Sequence, residues 1–272
     1  MVMRSFLPPV LLRRRPNRAM KVYSSYELAL ADSHTYEDPG VIEIVSRKTA
    51  AFKEALSASS PKRVDNHQIV QNMFVLSYAF RDRKLDILEL GGACGAGFFE
   101  LNQLLPGRIR RWHIVETSSM AAIGREYFQE DALAFYYDLD AAVSGLNGFD
   151  LLIAQGVLQY LRDPLSQLGA LLNLGFEYVY VTRTLVADDI VEPIITKQVA
   201  VLSAHGPGTA EKDFADRKTS QPLTILPLES LSSRLRNGYD IIFAFFEGKD
   251  MNVQVGSREV KTRNVGFLLK RA

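Results

Sequence analysis

Apolar positions along the chain recur with two different periods. Residues 17–82 read as helices. Val45, Thr49, Phe52 and Leu56 lie three or four apart, the spacing of one helical face. Asp38-Pro39 stands ahead of them, an N-cap followed by proline at the first helical position. After a loop at Ser57–Arg63, the positions Ile69, Met73, Leu76 and Phe80 predict a second helix.

From Leu85 the period shortens. Apolar runs at Leu85–Leu90, Trp112–Val115, Ala134–Tyr137, Phe149–Ala154 and Tyr178–Thr182 predict strands. Helical stretches lie between them at Phe98–Leu105, Met120–Phe128 and Pro164–Leu174. Such alternation predicts a parallel sheet with helices on both faces. Leu228–Arg236 then predicts a helix stopped by Asn237-Gly238. Two strands follow, Tyr239–Phe246 and Val265–Lys270, joined by the polar stretch Gly248–Asn264 with no crossover helix, so they must pair antiparallel. The expected fold class is α/β: a doubly wound, mostly parallel seven-stranded sheet with an antiparallel C-terminal hairpin. Residues 1–82 would form an N-terminal arm and helical cap, and 83–272 the ligand-binding domain. Val186–Pro222 is long for a connection, and with the N-terminal helices it is expected to cover the substrate side.

Composition narrows the function classes. The chain has 272 residues, 47% hydrophobic and 23% charged, the balance of a globular protein. Its net charge of +1 gives no reason to expect a nucleic-acid partner. There is one cysteine, Cys94, and the four histidines, His34, His67, His113 and His205, are scattered without metal-ligand spacing. A metal-free, cytoplasmic protein is expected. At the N-terminus, Phe6–Leu12 is apolar but broken by Pro8 and Pro9, and Arg13-Arg14-Arg15 follow. That order is wrong for an export signal. It leaves either a surface-docked arm or a weak peripheral contact with an anionic membrane.

The densest motif is Glu89-Leu90-Gly91-Gly92-Ala93-Cys94-Gly95-Ala96-Gly97, where a buried strand runs through small residues into a helix. Small residues let the backbone approach a ligand, and a helix start presents unpaired N–H groups. A dinucleotide fingerprint needs glycines where Ala93 and Ala96 stand, and a phosphate loop needs Gly-Lys-Ser/Thr. The acidic-x-Gly-x-Gly-x-Gly pattern of methyltransferases fits as Glu89-x-Gly91-x-Ala93-x-Gly95, with alanine at the central glycine. Glu89 could then accept a hydrogen bond from the ammonium of S-adenosylmethionine. Alone, the turn leaves a merely tight strand–helix connection equally open.

Three further strand ends carry polar groups. Glu116, with Thr117 after it, ends the second strand, where a carboxylate can accept both ribose hydroxyls. Asp138 follows the third, within reach of an adenine amino group or free to cap a helix. Gln155-Gly156 ends the fourth and leads into Val157–Leu161. Ligands in open α/β sheets sit beyond those ends.

Gly91-Gly92, Val115-Glu116, Leu158–Leu161 with Asp163-Pro164, and Arg183-Thr184 resemble, in order and spacing, a family of bacterial methyltransferases associated with polysaccharide biosynthesis gene clusters. The resemblance runs from about Tyr23 to Gly208 and loosens beyond it; the Phe6–Leu12 arm shares it. More broadly, the Glu89 turn, Glu116 and Gln155–Leu161 resemble class I methyltransferases. The resemblance implies S-adenosylmethionine as cofactor, held by Glu89, Gly91, Gly92, Ala93, Gly95, Glu116, Thr117, Asp138, Gln155 and Gly156. It names no acceptor; a hydroxyl of a small-molecule or carbohydrate-linked substrate is the default expectation, because a polysaccharide context offers hydroxyls.

Methyl transfer to a hydroxyl needs a base for the leaving proton. His205, in the loop after the fifth strand, is the candidate; an exposed loop histidine is the bland alternative. Tyr160 would close over the cofactor. Arg183 would pair with an acidic or phosphorylated substrate or, equally, with a structural carboxylate. Cys94 reads as packing. His113 is expected to point outward on its strand, and His34 and His67 to lie at the surface. Two rivals stay open: a non-catalytic module that keeps the fold, and a nicotinamide-dependent oxidoreductase, which the glycine spacing disfavours.

Overall fold

The computed structural model describes residues 20–58, 67–80, 83–144, 148–208 and 217–272. The N-terminal arm lies outside the described residues, as does most of the loop expected at Ser57–Arg63. In chain order the elements are α1 (Tyr26–Ala31), α2 (Pro39–Ala58), α3 (His67–Phe80), β1 (Leu85–Leu90), α4 (Ala96–Leu104), β2 (Ile109–Val115), α5 (Ser118–Tyr127), β3 (Leu133–Tyr136), α6 (Leu139–Val143) and β4 (Leu151–Gln155). A 3-10 turn (Leu158–Tyr160) leads to α7 (Pro164–Leu172), β5 (Tyr178–Ala187), β6 (Ile194–Val201), β7 (Lys218–Pro227), α8 (Leu228–Leu235), β8 (Tyr239–Val255) and β9 (Arg258–Arg271).

β1 pairs in parallel with β2 on one side and β4 on the other, β2 with β3, and β4 with β5. β9 runs antiparallel along β5 and β8 antiparallel along β9. The order β3-β2-β1-β4-β5-β9-β8 is therefore the predicted mixed sheet. Successive residues of β1 feed opposite cores. Leu85 and Ile87 pack with α2, α4 and α5 on one face; Leu88 packs with α7 and α8 on the other. Each such buried aliphatic side chain contributes roughly 1.5–3 kcal/mol. Val41, Ile44 and Val45 of α2 and Leu76 and Ala79 of α3 belong to the first of these cores, so the N-terminal helices and the sheet share one interior. The predicted cap forms, with Asp38 Oδ1 accepting from Gly40 N at 2.7 Å; Asp163 caps α7 in addition, accepting from Ser166 N at 3.2 Å.

Three expectations need correction. Residues 20–23 are not helical: Met20 pairs with Val255 and Tyr23 with Ile195. The long connection after the fifth strand is largely strand. β5 continues to Ala187, and β6 and β7 form an antiparallel hairpin that joins β5 through Val186↔Leu226 and Ala187↔Pro227. It was hidden because Thr196, Thr219 and Gln221 are polar yet buried, which erases the alternation that marks a half-buried strand. The polar stretch after Phe246 is likewise strand. β8 and β9 run on to a two-residue turn at Gly256-Ser257, with Gly256 at φ +59°, the first central position that a type II′ turn reserves for glycine. The end of β5, the β6–β7 hairpin and the hairpin tip enclose a third core of Leu185, Ala187, Ile190, Leu223, Ile225 and Val260. This core stands beyond the carboxyl ends of the parallel strands.

Candidate active site

The glycine turn bends as the small residues allow. Gly91 (φ +72°), Ala93 (φ +50°) and Gly95 (φ +82°) all lie in left-handed space. A Cβ on Gly91 would meet Val157 Cγ2 at 2.6 Å, so only glycine fits. Ala93 tolerates the conformation at a cost, which accounts for a missing glycine in the motif. Glu116 ties the turn to the second strand: its Oε1 accepts from Ala93 N at 2.9 Å and its Oε2 from Thr117 N at 2.8 Å. Burial pushes the Glu116 carboxyl up, and those two N–H groups pull it back only in part. Each carboxylate oxygen keeps a free lone pair for a further donor.

Glu89 is buried and folds back over its own turn. A Cβ on Gly92 would touch Glu89 Oε2 at 2.4 Å. Trp112 Nε1 donates to the same oxygen at 2.8 Å. Burial pushes the Glu89 carboxyl up to about 7, against the Trp112 bond and with the help of Glu116. A cavity of about 10 Å³, room for one water, lies between Glu89, Glu100, Asn72, Gln155 and Tyr180. Asn72 donates to Gln155 Oε1 at 3.4 Å and accepts from the Tyr180 hydroxyl at 2.8 Å. Burial also raises Glu100 to about 7. A buried carboxylate with so few donors gains most from a cationic ligand.

Asp138 lies apart from this group. It is the N-cap of α6, its Oδ1 accepting from Ala141 N at 2.8 Å, the capping alternative realised. Cys94 is fully buried and held up to about 12 by burial, which leaves a packing thiol. His113 is half-buried, with Nδ1 2.8 Å from Ala142 O, and His34 is tied to Ser220 Oγ at 3.0 Å. His34 is exposed, as expected, and His67 lies where no side chain is described.

On the other side of the turn, Tyr160 and His205 come together around a residue that the sequence did not single out, Tyr36. The Tyr36 ring meets Tyr160 edge-on at 5.3 Å and His205 edge-on at 5.8 Å. Burial, then Tyr160 and Glu116, push the Tyr36 phenol well up, so it stays protonated. The Tyr160 hydroxyl donates to Gln198 Oε1 at 2.5 Å, and its carbonyl accepts from the Tyr26 hydroxyl at 2.7 Å. His205 Nε2 is buried with no hydrogen-bond partner among the described residues, and burial, then Lys48, lower its pKa. Lys48 Nζ donates to the carbonyls of Ser203, His205 and Gly206 at 3.1, 2.8 and 3.4 Å, fixing the histidine loop to α2. Next to Tyr36, Glu37 accepts from Ser119 N at 3.3 Å at the start of α5. Burial opposes its charge, but Ser119, Thr117 and the backbone there outweigh it and hold the carboxyl low. Tyr36 and Glu37 carry no motif; their one signal was their place just before the Asp38-Pro39 cap.

Arg183 sits in a bulge between Val181 and Thr184 at φ +54°, a conformation costing an arginine about 1–3 kcal/mol. Its side chain is exposed and lies over Gly156. A Cβ there would be 3.5 Å from its Nε and Cζ.

Solved structures share the fold at low similarity. A S-adenosylmethionine-dependent methyltransferase from Clostridium acetobutylicum ATCC 824 matches with 14% identity and a TM-score of 0.48, over 83% of this chain and 98% of that one. Magnesium protoporphyrin IX methyltransferase from Synechocystis PCC 6803 with bound SAM matches with 10% identity and a TM-score of 0.41, over 85% and 95%. LepI in complex with SAM matches with 10% identity and a TM-score of 0.44 over 82% of this chain, which spans about half of LepI (52%). No protein-family model matches the chain, and no curated protein sequence does.

Proposed function

We propose that the chain is a S-adenosylmethionine-dependent methyltransferase acting on a hydroxyl of a small-molecule or sugar-containing acceptor. One observation carries the reading: Glu116 bridges the turn at Ala93 and the start of α5 at Thr117, and each of its oxygens keeps a lone pair. A nucleoside ribose beyond β2 has two hydroxyls to donate there. The buried, under-donated carboxylate of Glu89 fits an ammonium, and Gly91 lets the turn pack against Val157.

When bound, the cofactor supplies an electrophilic methyl group on a sulfonium. The chain's own residues do the rest. Glu89 and Glu116 hold the two ends of the ligand. Tyr36 and Tyr160 wall the acceptor side and exclude water, which strengthens every polar contact inside. His205, kept neutral by burial and Lys48, takes the acceptor's hydroxyl proton on its unpartnered Nε2.

Calorimetry with S-adenosylmethionine, S-adenosylhomocysteine and NAD tests the cofactor. Binding of the first two and not the third is expected; no binding of either sulfur ligand refutes the reading. Labelled methyl transfer into a metabolite extract tests the enzyme, and cofactor binding with no transfer would return the non-catalytic module.

A further inference from the structure

We propose that the acceptor carries an anionic group, a carboxylate or a phosphate, and that Arg183 grips it. The proposal rests on the methyltransferase reading and names its substrate class. Arg183 occupies left-handed backbone, where glycine would be the unstrained choice. Three elements hold it there. Its N–H donates to Glu247 of β8, and Thr182 Oγ1 donates to the other oxygen of the same carboxylate at 2.7 Å. Its carbonyl accepts from Gln159 Nε2 of the 3-10 turn at 3.1 Å. The strand edge just before it is fixed by Gly156 N donating to Thr182 O at 2.8 Å.

The side chain so positioned has no structural task. Arg110 and Arg111 pair with Asp86, Arg258 with Asp189 and Arg263 with Asp188, whereas Arg183 has no ion pair among the described residues. The structural-carboxylate alternative is therefore not realised; Glu247 is engaged through the Arg183 backbone and Thr182. The guanidinium instead lies across Gly156, beside Tyr36 and beyond the carboxyl end of β4, where open α/β sheets take their ligands. A planar guanidinium binds a carboxylate or phosphate through two parallel bonds, which an ammonium cannot do.

The test uses the full chain saturated with S-adenosylhomocysteine. Inorganic phosphate and acetate are titrated in at constant ionic strength and followed by nuclear magnetic resonance. Wild type is compared with Arg183→Gly, which suits the left-handed backbone and so preserves the fold, and with Arg183→Lys. At least one anion should bind wild type and bind Arg183→Gly roughly tenfold more weakly, with Arg183→Lys in between. In parallel, labelled methyl transfer is run into an extract separated by anion exchange. Label should enter retained material with wild type and fall with Arg183→Gly; phosphatase treatment then tells phosphate from carboxylate. Label confined to the neutral fraction, or anion binding unchanged in Arg183→Gly, overturns the proposal. So does a tenfold loss of S-adenosylhomocysteine affinity in Arg183→Gly, which would assign the arginine to the cofactor. If wild type fails to bind S-adenosylhomocysteine, the methyltransferase reading has failed; Arg183-dependent binding of phosphate or acetate by the unliganded protein then decides the anion site on its own.

Discussion

The Trp112 indole donates to Glu89 Oε2 at 2.8 Å, inside a core where both side chains are buried. One donor does not offset the burial, so the folded protein keeps a proton on Glu89 up to about pH 7. The unfolded chain releases it near the ordinary carboxylate value. Folding stability should therefore fall as pH rises from about 4.5 toward 7 and stay reduced above it. Glu89→Gln removes the buried charge. At pH 8 without ligand it should melt higher than wild type, yet bind S-adenosylhomocysteine on the order of tenfold more weakly. Thermal melts and calorimetry at pH 6 and 8 check both signs. Unimpaired binding would remove Glu89 from the ammonium's side.

Glu116→Gln should weaken S-adenosylmethionine and S-adenosylhomocysteine by about 1–3 kcal/mol, the range for hydrogen bonds to a charged group. Glutamine keeps one oxygen for the Ala93 N–H but sets its NH₂ against the Thr117 N–H, so the melting temperature should fall somewhat. Unchanged affinity by calorimetry would show that no ligand hydroxyl reaches this carboxylate.

His205→Gln should lower kcat about 10²–10⁴-fold, the usual contribution of a general base, with S-adenosylhomocysteine affinity intact. Burial and Lys48 hold the imidazole below its ordinary 6.5. The wild-type rate should therefore climb with pH through a value under 6.5 and level off above it. A kcat/KM profile with no falling acid limb anywhere below pH 6.5 would deny His205 the proton.

Asp86 is clamped at the outer end of β1 by Arg110 at 2.6 Å and Arg111 at 2.5 Å. Burial works against its charge, but Arg111 and Arg110 overcome it and hold the carboxyl down at about 2. Its contribution is present above the unfolded value near 4 and is lost as pH falls from there to about 2. The arginines are partly exposed, so roughly 1–2 kcal/mol survives screening. Asp86→Asn should lower the denaturant midpoint at pH 7 and leave the stability difference from wild type near zero at pH 2.

The sheet and the glycine turn of the candidate site were legible because their signals are local. β1 reads as an apolar run interrupted only by Asp86 and Glu89, Gly91 to Gly97 as a turn, and Glu116 falls where its strand ends. The acceptor side depends on long-range placement. Tyr36 reaches Tyr160 from more than a hundred residues away in sequence. β6 and β7 bury threonine and glutamine, so no alternation announces them. The left-handed turn at Arg183 is imposed by Glu247 and Gln159, neither of them a neighbour in sequence. His205 and Tyr160 were visible as residue types, but their meeting across Tyr36 was not.

The long pairing of β9 with β5 sets an order of assembly during synthesis, since chains emerge and fold from the N-terminal side. By the time α7 has left the ribosome, the glycine turn, Glu116 and Gln155 are all made. β5 then waits with an open edge, a row of unpaired backbone groups prone to stray pairing, until β9 is translated. Only with β8 does Glu247 arrive to turn Arg183 off the strand. The proposed nucleoside side can thus take shape on a nascent chain before β8 brings the carboxylate that positions Arg183 on the proposed acceptor side.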